Sequence, residues 1–119
     1  MSYNQNKSIE IRIDGNRVAN VESLDIECTR EIIEENGVPS SNLKEIKIVF
    51  KRAICINSSI SDSVTLKALK KFTMDVCVPG LITTYTDCLC VGYRETIGEG
   101  NKIVEELTAI ASSYKQIST

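Results

Sequence analysis

The feature that most constrains this chain is a repeated alternation of apolar and polar residues with a period of two. Ile9, Ile11 and Ile13 alternate with Glu10 and Arg12, which is typical of a β-strand that exposes one face to water. Comparable strand-like segments cover residues 18–28, 46–56, 74–78, 81–93 and 102–112. The pattern predicts a mainly β protein whose strands are joined by short turns.

The first turn is the clearest of these connections. Asp14, Gly15 and Asn16 tolerate positive φ angles, so they indicate a tight β-hairpin directly after the first strand. The returning strand is expected to continue to Cys28, with a bulge or bend near Ala19. The first third of the chain is therefore predicted to be a β-hairpin.

Two segments depart from the strand pattern. Residues 30–43 are rich in Glu, Asn and Ser, and predict a loop that is longer than a hairpin needs; such a loop is either functional or merely solvated. Residues 62–72 predict a short helix, because Val64, Ala68 and Phe72 recur at helical spacing after serine N-cap candidates. This apolar stripe is interpreted as part of the core.

The closing strand, residues 102–112, is apolar on both faces. Val104 and Ile110 lie on one face, while Leu107, Ala109 and Ala111 lie on the other. This arrangement indicates a strand that is covered from both sides, by the core and by something else. Polar residues form an N-terminal arm, 1–7, and a C-terminal tail, 114–119.

Together these segments predict one domain over residues 1–119. Its class is an antiparallel β-sandwich or partly open barrel of about six to seven strands, with one flanking α-helix. A chain of 119 residues suits a single compact core. No catalytic, cofactor-binding or metal-binding residue is predicted, and the chain is expected not to be an enzyme.

The residue types present explain that expectation. The sequence contains no histidine, which excludes a Ser-His or Cys-His pair and a histidine metal ligand. Adjacent carboxylates such as Glu105 and Glu106 face opposite sides of a strand, so they form no acid–base pair by themselves. Lys51 and Arg52 are interpreted as a solvated strand edge.

The five cysteines are interpreted as structural side chains; they are Cys28, Cys55, Cys77, Cys88 and Cys90. Cys88 and Cys90 are expected to be buried on the same face of one strand. The polar N-terminus carries no signal-peptide pattern, and no run is long enough to span a bilayer. Synthesis in a cytosol, without membrane insertion, is therefore expected.

Charge is unevenly distributed along the chain. The net charge is −2, from 14 basic and 16 acidic residues, which gives no electrostatic case for sequence-specific nucleic-acid binding. Residues 1–40 carry −4, residues 41–75 carry +4 and residues 76–119 carry −2. Such segregation suits head-to-tail contact between copies, and it equally suits ion pairing within one copy.

Two motifs carry a resemblance to a known family. The opening reads I-x-I-D-G-N-x-V over Ile11 to Val18, and the close reads E-T-I-G-E-G-N-x-I-V-E-E-L-T-A-I-A-S over Glu95 to Ser112, after Thr86 and Cys88. In these motifs and in the order of its elements the chain resembles the tail-tube class of tailed bacteriophages and related contractile injection systems.

The resemblance implies a structural virion protein. In that family six copies form a ring, the sheets join into a continuous inner β-barrel, and rings stack into a hollow tube. It implies that the loop at residues 30–43 reaches a neighbouring ring, and that tail sheath, baseplate or tape-measure proteins are partners. Related folds serve as tube initiator or terminator. It also implies a place in the phage tail, after assembly in the bacterial host cytoplasm.

A second functional class stays open on the sequence. A cytosolic β-domain that binds a partner protein by strand addition would have the same composition and the same low net charge. Neither alternative requires a cofactor. The two differ in oligomeric size, since one predicts rings or tubes and the other predicts monomers or dimers.

Overall fold

The computed structural model describes residues 9–55 and 64–119, so the predicted arm at residues 1–7 lies outside the described residues. The described strands are β1 (Glu10–Ile13), β2 (Asn16–Arg17), β3 (Val21–Glu35), β4 (Val38–Cys55), β5 (Lys71–Val78), β6 (Leu81–Ile97), β7 (Lys102–Ala111) and β8 (Ser113–Ser118). Two short 3-10 helices cover Leu66–Ala68 and Glu99–Asn101. The predicted mainly β class is confirmed.

All the described strand pairs are antiparallel and belong to one eight-stranded sheet. Its order is β2-β1-β5-β6-β7-β4-β3, and β8 pairs with β6 beyond the end of β7. β7 and β8 continue one another, because Leu89 pairs with Ile110 and Thr86 pairs with Ser113 in a single register along β6. The first half of β6 thus lies between β5 and β8, and its second half lies beside β7.

The sheet bends where β6 passes from one half to the other. Asp87 has a φ of 50°, and the pairing of β5 with β6 shifts register between Phe72 and Met74; such bulges bend strands. The bend divides the sheet into two layers, here called the 3-4-7-6 layer and the 2-1-5-6-8 layer. Ile48, Phe50 and Leu107 of the first share one core with Ile11 and Met74 of the second.

The two ends of the sheet are not hydrogen-bonded to each other among the described residues, so the barrel is open. An apolar cleft marks the gap between β1 and β3; it is lined by Ile9, Ile11, Val21, Leu24 and Val76. Of the two predicted alternatives, a β-sandwich and a partly open barrel, the second describes this arrangement, in which two layers of one sheet face each other across a core.

The predicted turn after β1 is present. Asp14 and Gly15 have φ angles of 50° and 85°, and Arg12 pairs with Arg17 across the turn. The returning segment is interrupted, since β2 has two residues and β3 begins at Val21. Asn20, with a φ of 62°, lies at the break, close to the bend that the sequence predicts.

The helix predicted at residues 62–72 is wrong in its described part. Residues 62 and 63 lie outside the described residues, and between Val64 and Phe72 the helical structure is limited to the turn Leu66–Ala68. Leu66 is fully buried and its N-cap, Thr65, makes no side-chain capping hydrogen bond. Lys71 already pairs with Leu89, so the last two residues of the predicted helix belong to β5, where the main chain pairs with β6.

The loop predicted at residues 30–43 is also wrong. These residues are the distal half of a long hairpin made by β3 and β4, in which Glu35 pairs with Val38. Asn36 and Gly37 have φ angles of 53° and 78°, which is the turn geometry that an Asn-Gly pair favours. Both faces of this hairpin are wet, so it shows none of the apolar alternation that identifies a half-buried strand.

The C-terminal end follows the prediction in β7 but not beyond it. β7 has Leu107, Ala109 and Ala111 buried on one face, while Val104 and Ile110 are half-buried on the other. The prediction of a polar tail at residues 114–119 is wrong, because most of these residues form β8 and pair with the first half of β6. The side chains of β8 are exposed, so the strand shows no apolar alternation in the sequence.

Candidate assembly surfaces

A buried ion pair holds the middle of the 3-4-7-6 layer. Arg52 and Glu105 face each other across β4 and β7, with side chains 2 % and 7 % exposed and an Nη2–Oε1 distance of 2.9 Å. Arg52 also donates from Nη2 to the carbonyl oxygen of Val64 at 3.1 Å. The interpretation of Arg52 as a solvated edge residue is therefore wrong, because its guanidinium ties the strand pair to the segment before β5.

Tyr93 extends this network from β6. Its hydroxyl lies 2.6 Å from Glu105 Oε2 and 2.9 Å from Glu95 Oε2. Burial and the two neighbouring carboxylates disfavour the phenolate, so the pKa of Tyr93 is raised far above its ordinary value. Three neighbouring strands and one connecting segment thus meet in one hydrogen-bonded cluster, which fixes the register of this layer.

The cysteines have different environments. Cys88 is buried and donates to the carbonyl oxygen of Tyr85, and burial raises its pKa to about 11; this thiol stays protonated and unreactive near neutral pH. Cys90 is half-buried, as is Cys77, whereas Cys28 is exposed on β3. The same-face placement of Cys88 and Cys90 is confirmed, and burial is complete only for Cys88.

The 3-4-7-6 layer has two lateral edges. β3 pairs with β4 alone over its described length. At the opposite side, β6 leaves β5 after Leu89, and the next described contact on that side is the hydrogen bond from the Cys90 amide to the Lys70 carbonyl at 2.8 Å. An unpaired edge of this kind is a template for pairing with another chain.

The distal part of the β3–β4 hairpin projects from the core. A bulge begins it, since Thr29 pairs with Glu45 and Arg30 pairs with Leu43, which leaves Lys44 as the extra residue. From there to the tip only Ile33 is half-buried, and Ile32 is 81 % exposed. Residues 30–43 thus form a distal hairpin.

The overall dimensions reflect this projection. The chain extends over 62 × 32 × 26 Å with a radius of gyration of 16.7 Å, whereas a compact domain of this length has a radius of about 13–14 Å. A projecting hairpin that exposes isoleucine, valine and leucine has little to stabilise it within its own chain. Its contacts are therefore expected on another molecule.

Features of other kinds of site are not seen in the described residues. Within residues 9–55 and 64–119, no three histidine, cysteine, aspartate or glutamate side chains are placed to hold a metal ion. Within the same ranges no helix has the length and apolarity needed to cross a bilayer.

Comparisons with known proteins place the fold. No protein-family model and no curated protein matches the sequence. Among solved structures, the chain is similar to the sheath/tube terminator of an extracellular contractile injection system, PVC, with a TM-score of 0.58 and 10 % identity over 92 % of both chains. A chain of the PVC sheath-tube complex gives 0.59 and 11 % over 93 % of this chain and 88 % of that one.

A third solved structure is the tube-terminating cap of the anti-feeding prophage. It gives a TM-score of 0.61 at 8 % identity, and covers all of this chain and 94 % of the cap chain. The chain thus has a tail-tube-like fold of the kind found in contractile injection systems, as the sequence resemblance indicated. These three neighbours come from a sheath/tube terminator, a sheath-tube complex and a tube-terminating cap.

Proposed function

We propose that this chain is a non-catalytic structural subunit of a ring in the tail tube, or at a tube end, of a phage or phage-like contractile particle. The observation that carries the proposal is the shared fold over at least 88 % of both chains in each of three tube-associated comparisons.

Lateral assembly would use the unpaired edges of the 3-4-7-6 layer. β3 and β6 lie at opposite sides of that layer, so each copy presents one edge to each neighbour. Pairing these edges around a ring satisfies main-chain groups and removes the exposed edges that invite aggregation. The family resemblance implies six copies per ring.

Axial stacking would use the distal hairpin. Its exposed Ile32 and Val38 extend beyond the core, where an adjacent ring, or a sheath, baseplate or tape-measure partner, would cover them. In this proposal the stacked rings form part of the tail of a phage or phage-like particle, which is assembled in the bacterial host cytoplasm. Two of the three neighbours are a terminator and a cap, which favours a ring at the end of the tube over one repeated along it.

The test is the size and shape of the purified assembly. Size-exclusion chromatography with light scattering should give about six times the 13.2 kDa mass of one chain, and electron microscopy should show hollow rings. Replacing residues 30–44 by Asn-Gly should leave single rings but prevent stacking. The Glu99→Lys variant, altered in the turn between β6 and β7, is the matched control and should stack normally.

Short closed stacks would support a place at the tube end, whereas long uniform tubes would support a repeated tube subunit. A chain that stays monomeric, both alone and with tube and sheath components, would overturn the ring assignment. The same free β3 edge would then favour the alternative, a domain that binds a partner by strand addition.

A further inference from the structure

The two lateral edges of the 3-4-7-6 layer carry opposite charge. Along β3 there is one basic residue, Arg30, against six exposed acidic residues: Glu22, Asp25, Glu27, Glu31, Glu34 and Glu35. The alternation of the strand places Asp25, Glu27, Glu31 and Glu35 on one face. Glu22, Asp25 and Glu27 lie before the distal hairpin, so the β3 edge is negative along the part that remains when the hairpin is removed.

The opposite edge is bordered by a basic ledge, defined as residues 64–71. This segment contains Lys67, Lys70 and Lys71 and no acidic residue, and all three lysines are exposed. The main-chain hydrogen bond from Cys90 to Lys70 and the pairing of Lys71 with Leu89 fix the ledge beside β6, on the side away from β7. β6 itself carries exposed Arg94 against exposed Asp87 and Glu95, so the ledge and β6 together have three lysines and one arginine against two carboxylates and are net positive.

Ion pairs within one copy leave most of this charge in solvent. Lys67 lies 3.8 Å from Glu95 and Lys71 lies 3.7 Å from Asp87, with lysine side chains 68 % and 67 % exposed. On β3, Glu22 lies 3.2 Å from Lys102, again between exposed side chains. Exposed pairs of this kind contribute little to stability, so both edges remain available to an opposite charge on another molecule.

We propose that the β3 edge of one copy lies against the basic ledge and β6 edge of the next copy, forming a charge-complementary seam. This inference rests on the proposed ring and specifies its lateral contact. The partner is a second copy of this chain because opposite edges of the same layer carry the complementary charges. The contact is head-to-tail, the type that generates closed rings.

The same charges oppose the wrong contact. Two β3 edges brought together would place carboxylates against carboxylates, whereas the seam brings carboxylates to lysines. The charge pattern therefore sets the direction of association as well as its strength. It also makes assembly dependent on salt, because the Debye length falls from about 30 Å at 0.01 M to about 3 Å at 1 M.

Charge exchange between the edges tests the seam. The variants are D25K/E27K on β3, K67E/K70E on the ledge, and the combined chain that carries all four changes. We measure the protein concentration at which half of the chains are in rings, by light scattering at about 0.05 M and about 1 M salt. Either reversal alone should raise this concentration about tenfold or more at low salt, because like charges then meet at every seam.

The combined chain should assemble within about threefold of the unmodified protein, because it restores opposite charges with their positions exchanged. E10K/E99K changes the net charge by the same amount as D25K/E27K but lies away from both edges, so it should assemble normally. If a lysine on β3 disturbs folding, the milder D25N/E27Q should still weaken assembly in the same direction. Far-ultraviolet circular dichroism checks that each variant is folded.

The outcomes separate the seam from the ring. Rings that persist in both folded single-edge variants, or a combined chain that fails to recover, would overturn the seam and leave the proposed ring intact. If the unmodified chain forms no ring at either salt concentration or with tube components, the proposed function and the seam both fall.

Discussion

The body of the domain and the distal hairpin contain the same kind of strand but are stabilised in different ways. In the body, Arg52, Glu105 and Tyr93 join three neighbouring strands through hydrogen bonds inside a packed core. In the distal hairpin the main-chain ladder from Arg30 to Val38 continues, yet nearly every side chain is in solvent. The body is thus stabilised by contacts within its own chain, whereas the hairpin has few such contacts and is the region for which we propose a contact with another molecule.

The largest expected effect on stability comes from a substitution in the body of the domain. Arg52→Ala should lower the free energy of unfolding by about 3–5 kcal/mol, because it leaves the Glu105 carboxylate buried without its cation. Urea denaturation followed by circular dichroism measures the change. The matched double variant Arg52→Met/Glu105→Leu, which removes both charges, should recover most of the loss; a double variant as unstable as Arg52→Ala would contradict the role assigned to charge.

A smaller effect comes from the tyrosine of the same network. Tyr93→Phe keeps the ring but removes the hydroxyl that contacts Glu95 and Glu105, and should cost about 1–3 kcal/mol. Equilibrium unfolding gives the value. Tyr114→Phe, on an exposed tyrosine of β8, is the control and should stay within about 0.5 kcal/mol of the unmodified protein.

Alkaline pH should weaken the body through Cys88. Its folded pKa of about 11 lies above the ordinary 9.0, so the unfolded chain releases this proton first. The stabilising contribution is complete below pH 9 and is lost as pH rises through 11. The free energy of unfolding, measured by denaturation under reducing conditions, should fall across that window by on the order of 1–2 kcal/mol. The Cys88→Ala variant should show a flatter dependence of this free energy on pH. An equal slope in both proteins would assign the effect to other groups.

The smallest effect on stability is expected where the hairpin is removed. Replacing residues 30–44 by Asn-Gly joins Thr29 to Glu45 through a two-residue turn, and should change the free energy of unfolding by about 1 kcal/mol or less because almost no buried surface is lost. Thermal and urea melts measure it. A loss as large as that of Arg52→Ala would mean that the hairpin supports the core, and the contrast between the two regions would fail.

The core strands could be predicted from the sequence because a strand that buries one face has apolar residues at every second position. Ile11, Ile13, Ile46, Ile48 and Phe50 are all buried where the alternation predicts. The distal hairpin could not be predicted in this way. Its pairing is made by main-chain groups that every residue carries, and water on both faces removes the apolar signal.

The helix prediction at residues 62–72 was wrong because the helical spacing of apolar residues did not match their burial. Val64 and Phe72 are buried as the helical stripe predicts, but Ala68 of that stripe is exposed and Leu66, which does not fit it, is fully buried. The Arg52–Glu105 pair was missed because the two residues are 53 positions apart, and only the register of β4 with β7 brings them together. The lateral edges depend in the same way on the strand order. The uneven charge along the sequence left contact between copies and ion pairing within one copy equally open.

The 3-4-7-6 layer has a consequence for how such a subunit can evolve. It contributes four strands that alternate in direction, so copies repeated around an axis meet through antiparallel strands at every seam. A layer with an odd number of strands would instead force a parallel pair at each junction. The parity rule holds for any number of copies, so ring size can drift with the angle between neighbours. In the proposed ring, antiparallel junctions are therefore kept only if strands of this layer are gained or lost two at a time, as whole hairpins.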